Sequence, residues 1–142
     1  MKNKLLKIAF VAVPVFCVMV FLYMSYFNAA YEHPGRYVYK ARCAECHGDN
    51  GEGTQSLIPP LRDADMARQQ LDSLPCWLHI GMNVPITVNG KQYEQTMYPI
   101  NISEVEMANL LNYMADEMVH VKKHYKADSL LIMMKKCGQT GL

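Results

Sequence analysis

Cys43-Ala44-Glu45-Cys46-His47 decides the reading of this chain. A Cys-x-x-Cys pair alone suits a redox dithiol, half of a zinc site or a haem attachment. A zinc ribbon needs a second such pair, and the other cysteines, Cys17, Cys76 and Cys137, stand apart. A thioredoxin-like dithiol should follow a strand in a β-α-β pattern, and none is visible. The histidine directly after Cys46 selects the remaining option. On one helical turn both thiols face one edge of a flat macrocycle, where they can add to its two vinyl groups as thioethers. His47 then points its imidazole at the iron. The expected cofactor is one covalently attached haem c.

Outward from this turn the chain divides into short elements. Pro34 suits the first turn of a helix running through Tyr37 and Tyr39 to Cys43. Three glycines among residues 48–53 mark a loop. Pro59-Pro60-Leu61 reads as a rigid extended turn. Ser73 and Pro75 open a helix that stops at Gly81. Ile86 to Tyr93 reads as a hairpin with an Asn89-Gly90 turn. Ser103 and Glu106 form a capping box for the longest helix of the body. Val105, Leu110, Leu111, Tyr113, Met114 and Met118 are expected on or near one face of it. Asp128 or Ser129 is expected to cap a last helix, Leu130 to Lys136.

The N-terminus is of another kind. Ile8 to Phe27 is a run of twenty uncharged residues behind Lys2, Lys4 and Lys7. Twenty helical residues rise about 30 Å, the thickness of a bilayer's hydrocarbon core. Lysines before the run and few basic residues just after it place the start of the chain in the cytoplasm and the body across the membrane. A cleaved signal peptide would have a shorter apolar run and a small-x-small site. Phe27 and Asn28 make Ala29-Ala30 a poor one, so an uncleaved anchor is expected. The resulting division is 1–30 anchor, 31–118 domain and 119–142 basic extension. The whole chain carries a formal charge of only +1, which argues against a nucleic-acid partner. From Glu32 to Met118 twelve acidic residues face six Lys and Arg, whereas the extension has five lysines against Asp128.

Residues 32–118 resemble a class I monohaem cytochrome c domain. The likeness rests on Cys43-x-x-Cys46-His47 together with Gly35 and Tyr39, eight and four residues before Cys43. It extends to Leu110 and Tyr113, to Gly48, Gly51 and Gly53, and to Leu61 two residues after Pro59. It implies a mainly α fold, three to five helices around one haem with a small hairpin, here behind an N-terminal transmembrane helix. In such a fold Gly35 lies where the first helix crosses the last, and needs no side chain.

The resemblance also implies a ligand set. It places the sixth ligand at Met97, in the irregular segment Gln95 to Pro99, opposite His47 on the iron; Met82 is the alternative. Bis-histidine ligation through His33, His79, His120 or His124 is the weaker option. The Pro59 carbonyl is implied as acceptor for His47. Trp77 could donate to a haem propionate or serve as a core residue, and Tyr93 and Tyr98 would line the haem edge. Cys76 and Cys137 can pair in an oxidising compartment, with unpaired thiols as the alternative.

With both axial positions filled, no open site remains for a substrate. The expected function is outer-sphere transfer of single electrons, not enzymatic turnover, and no small-molecule substrate is expected. The protein would sit in the cytoplasmic membrane as a single-pass protein with its haem domain on the periplasmic side. Expected partners are a quinol-oxidising complex and a terminal oxidase or reductase. The alternatives are a subunit fixed in a larger respiratory complex, or a haem-based ligand sensor if the sixth ligand is labile.

Overall fold

The computed structural model describes the backbone of residues 2–30 and 33–137, and side chains over 10–26 and 33–137. The chain divides after residue 32 into two units. The first is one helix, α1 (Lys2–Ala30), with Pro14 inside it. All of its described side chains are exposed. Among the described residues no helix is long and apolar enough to cross a membrane. The α1 side chains described, 10–26, stop short of the about 20 residues a span requires.

The second unit is built around the crossing of two helices. In α2 (Pro34–Arg42), Pro34 occupies the first turn, where its missing N–H costs nothing. Its buried face carries Gly35, Val38 and Tyr39. The partner, α6 (Glu104–Tyr113), starts at the expected capping box of Ser103 and Glu106. A Cβ on Gly35 would lie 1.9 Å from the Asn109 carbonyl oxygen and 2.5 Å from Tyr113 Cβ. Only glycine lets the two backbones approach this closely. Met107, Leu110 and Leu111 of α6 are fully buried. Val105, expected on that face, is 60% exposed: it lies in the first turn and points away from the core.

Between these helices run α3 (Ala44–His47), α4 (Asp65–Gln69), α5 (Leu74–Ile80) and a hairpin of β1 (Ile86–Val88) and β2 (Lys91–Tyr93). The hairpin pairs Ile86 with Tyr93 and Val88 with Lys91. Asn89 and Gly90 both have positive φ, as a tight type I′ turn demands. Asn89 also ties the hairpin to α4. Its backbone N–H donates to Asp65 Oδ1 at 2.7 Å, and its side-chain oxygen accepts from the Asp65 N–H at 3.0 Å. α5 starts beside Ser73, which gives no side-chain cap, and stops at Gly81 as expected.

After Tyr113 the helix widens into a π-turn, Met114–Met118. Its carbonyls are met by the segment that follows the proline turn. Asp63 N–H donates to Met118 O at 2.9 Å and Arg62 Nη1 donates to Glu117 O at 2.9 Å. The segment set apart as an extension then packs onto the domain. Asn112, buried in α6, exchanges hydrogen bonds with the Tyr125 backbone at 2.7 and 3.1 Å. The last helix, α7 (Ala127–Lys136), lies against α5 and α6 and buries Leu130 completely. It starts three residues before Leu130, and neither Asp128 nor Ser129 caps it. Lys126 stands at the cap position in extended backbone, and its carbonyl accepts from the Ser129 and Leu130 N–H groups at 3.1 and 3.2 Å. Cys76 and Cys137 form a disulfide with their Cα atoms 5.3 Å apart.

Candidate functional site

The expected attachment turn begins where α2 ends. Cys43 closes α2 through its N–H to Tyr39 O at 2.8 Å, and Ala44 to His47 form the single turn of α3. The turn is held from several sides. Tyr39 Oη donates to Gly48 O at 2.6 Å. Gly53 N–H donates to His47 O at 2.7 Å, and Thr54 Oγ1 to Cys46 O at 3.2 Å. Gly53 has φ of 73° and passes so close to Ile58 and Pro59 that a Cβ there would lie 2.6 Å from the Ile58 oxygen. This return of the chain brings Pro59 under His47.

His47 Nδ1 and the Pro59 carbonyl oxygen are 2.9 Å apart. A carbonyl only accepts, so Nδ1 carries the proton and donates it to Pro59. The other nitrogen, Nε2, keeps its lone pair. Burial disfavours the imidazolium and lowers the pKa of His47, and the Pro59 hydrogen bond opposes this in part. The ring is therefore neutral, oriented, and a competent metal ligand.

A cavity of about 300 Å³ opens beside this turn. Cys43, Cys46, His47, Pro59, Leu61, Trp77, Tyr93 and Met97 all line it. Every residue that the sequence assigned to the cofactor site is thus gathered at one place, although they span more than fifty positions. Tyr98 joins them while remaining 78% exposed. Residues the sequence reading did not assign are there too. Leu74 and Leu78 come from α5, Met66 and Ala67 from α4, and Met114 from the π-turn. The i, i+4 spacing of Leu74 and Leu78 was a usable signal; the five-residue helix α4 offered none.

Among the described residues His47 is the only histidine on the cavity wall. His79 is exposed on α5, and His120 and His124 are exposed beyond the π-turn. His33 caps α2, accepting from the Gly35 N–H at 3.2 Å. Bis-histidine ligation has no candidate here. Both Met97 and Met82 line the cavity. They sit on facing backbone segments, each donating its N–H to the other's carbonyl at 2.8 Å.

The surroundings of Cys43 differ from those of a reactive dithiol's thiol. Reactive dithiols depend on a thiol pKa lowered below its usual value. Burial, with Cys46 close by, pushes the Cys43 thiol up to about 12. A buried protonated thiol, an adjacent thiol, a neutral imidazole with a free Nε2 and an apolar wall fit a covalently held haem. Cys43 and Cys46 would carry the two thioethers and His47 would ligate the iron. When bound, the haem supplies a metal that takes up and releases one electron. A family model described as Cytochrome c matches residues 33–116. Comparison with curated proteins gave no match.

Proposed function

Since the chain belongs to the cytochrome c family, and is an electron-transfer protein with covalently bound haem c and redox protein partners, we propose that it is a membrane-anchored, periplasmic single-electron carrier and not an enzyme. The observation that carries this reading is the His47–Pro59 hydrogen bond at 2.9 Å beside a cavity whose other ligand candidates are methionine sulfurs. A histidine fixed in one tautomer reorients little when the metal changes charge. A thioether as second ligand favours the ferrous state and raises the reduction potential. Leu61, Leu74, Leu78 and Tyr93 line the cavity and would keep water off a bound haem, and exposed Tyr98 marks where the cavity wall meets solvent.

Met97 is the proposed sixth ligand. With His47 and Met97 both bound, substrate has no entry to the metal, so chemistry is confined to electron exchange. The ferric protein should be low-spin. Met97→Ala should turn it high-spin or recruit a substitute ligand; an unchanged spectrum would transfer the role to Met82.

The anchor is proposed from Lys2, Lys4 and Lys7 ahead of the uncharged run Ile8 to Phe27, within a single 29-residue helix. It would confine the carrier to the membrane plane, raising encounters with a quinol-oxidising complex as donor and a terminal oxidase or reductase as acceptor. Their interfaces should be small and transient. A second reading makes the chain a fixed subunit of a respiratory assembly. Exposed Lys122, Lys126, Lys135 and Lys136 favour it as a docking surface. Size analysis in mild detergent separates the two: the carrier is expected as a monomer, and co-migration with other subunits would support the second.

A further inference from the structure

The backbone of the segment bearing Met97 is tied to the end of α5 and the residue that follows it. Ile100 N–H donates to Leu78 O at 2.8 Å, and Met82 and Met97 exchange both backbone hydrogen bonds at 2.8 Å. Gly81 lies between these two grips with φ of 80°. A Cβ at Gly81 would lie 2.7 Å from Met97 O and 3.0 Å from Pro99 Cδ. The joint therefore has almost no slack. A displacement of α5 moves the Met97 backbone with it.

What fixes α5 is less obvious. It has seven residues and no side-chain cap, and Leu74, Trp77 and Leu78 line the cavity. Its covalent restraint comes from Cys76, bonded to Cys137 just after α7. Cys137 lies outside the stretch that matches the family model, which ends at residue 116. α7 in turn packs on α6 and buries Leu130, and the Tyr125 backbone is held by Asn112 of α6. A continuous path runs from α6 through α7 and the disulfide to α5 and on to Met97.

We propose that the C-terminal segment, acting through the Cys76–Cys137 disulfide, is a positioning brace that holds Met97 on the iron and closes the sixth position to outside ligands. This rests on the reading of Met97 as the sixth ligand. An outside ligand binds only those molecules in which the methionine has let go, so its apparent affinity scales with that fraction. Releasing α5 raises the fraction.

The test is a titration of detergent-extracted, full-length ferric holoprotein with imidazole, followed by the visible spectrum. Cys76→Ser/Cys137→Ser should bind imidazole at least about tenfold more tightly than wild type at a temperature where the far-ultraviolet dichroism of both is native. Ser103→Ala, which removes the cap at the far end of α6 and leaves the path from α7 to Met97 intact, should stay at the wild-type affinity. Equal affinity in the double variant and wild type overturns the proposal. So does an equal rise in Ser103→Ala, which would mean general loosening. Met97→Ala is titrated alongside; if its spectrum matches wild type, the ligand assignment falls and the brace with it. Should the double variant fail to mature, holoprotein can be opened at the disulfide with dithiothreitol, capped with iodoacetamide and reoxidised at the iron with ferricyanide. The same rise in imidazole affinity is expected there, and no rise overturns the proposal.

Discussion

Single residues carry most of the chemistry, and several act through what they lack or hold back. Gly35 matters because it has no side chain where α2 meets α6. Gly35→Ala forces the helices apart, and overpacking of this kind costs about 1–3 kcal/mol or more; thermal unfolding of the holoprotein should show a clear loss, and an unchanged midpoint would remove the crossing from the account. Cys46→Ala should leave haem attached through Cys43 alone or lost, read by haem stain on a denaturing gel. The attachment residues were legible because their order in sequence is also their order in space. Met97 was not legible in this way. Its rival, Met82, stands fifteen positions away yet faces it across a backbone bridge and shares its cavity. Sequence spacing cannot separate two methionines that tertiary pairing brings together. Pro59, by contrast, came only from family likeness, since the return of the chain under His47 depends on the close approach at Gly53.

At the scale of elements, what could be read depended on where the ends are fixed. Helices with strong local signals, Pro34 for α2, Gly81 for α5 and the Ser103–Glu106 box for α6, lie where the sequence places them. Ser103→Ala should cost about 1 kcal/mol, measurable as a lowered midpoint in chemical denaturation with an unchanged slope. Helix α4 has five residues and no side-chain cap, too few to show a period. The π-turn is hidden for a different reason. About one added residue in a single turn leaves the apolar pattern almost intact, and the turn shows itself in the Val119 N–H donated to Met114 O at 2.9 Å, five residues back. The start of α7, like that of α4, has no side-chain cap. Asp72 joins the segment before α7 to the body, accepting from Lys123 Nζ and Tyr125 Oη. The Lys123 bond, then the Tyr125 bond, holds its carboxyl below the usual carboxylate pKa. A lowered folded-state pKa gives stability that is present above the unfolded pKa of about 3.9 and is lost as pH falls through the folded value. Asp72→Asn should therefore flatten the acid side of a plot of midpoint against pH and leave its neutral shape unchanged.

The whole molecule combines a helix with a haem domain, and the domain reaches further along the chain than its family pattern does. Acidic and basic counts suggested a separate tail after residue 118, because charge shows on the surface whereas the contacts of Val119, Tyr125 and Leu130 are buried. Composition reports what faces water and says little about what lies beneath. The disulfide closes a loop of 61 residues, worth about 4 kcal/mol in the chain-entropy model, and makes the added layer part of the fold. Removal of residues 1–30 behind a cleavable export signal should yield a soluble, haem-loaded domain, recovered without detergent; an aggregate would mean that the helix also covers the domain. The central claim is that Cys43, Cys46 and His47 hold one haem by covalent bonds. Its most direct test is the mass of the mature, purified protein after denaturation in acid, measured together with its absorption. The chain should weigh one haem more than its polypeptide and keep its colour through denaturation, whereas a colourless chain at the bare polypeptide mass would contradict the account.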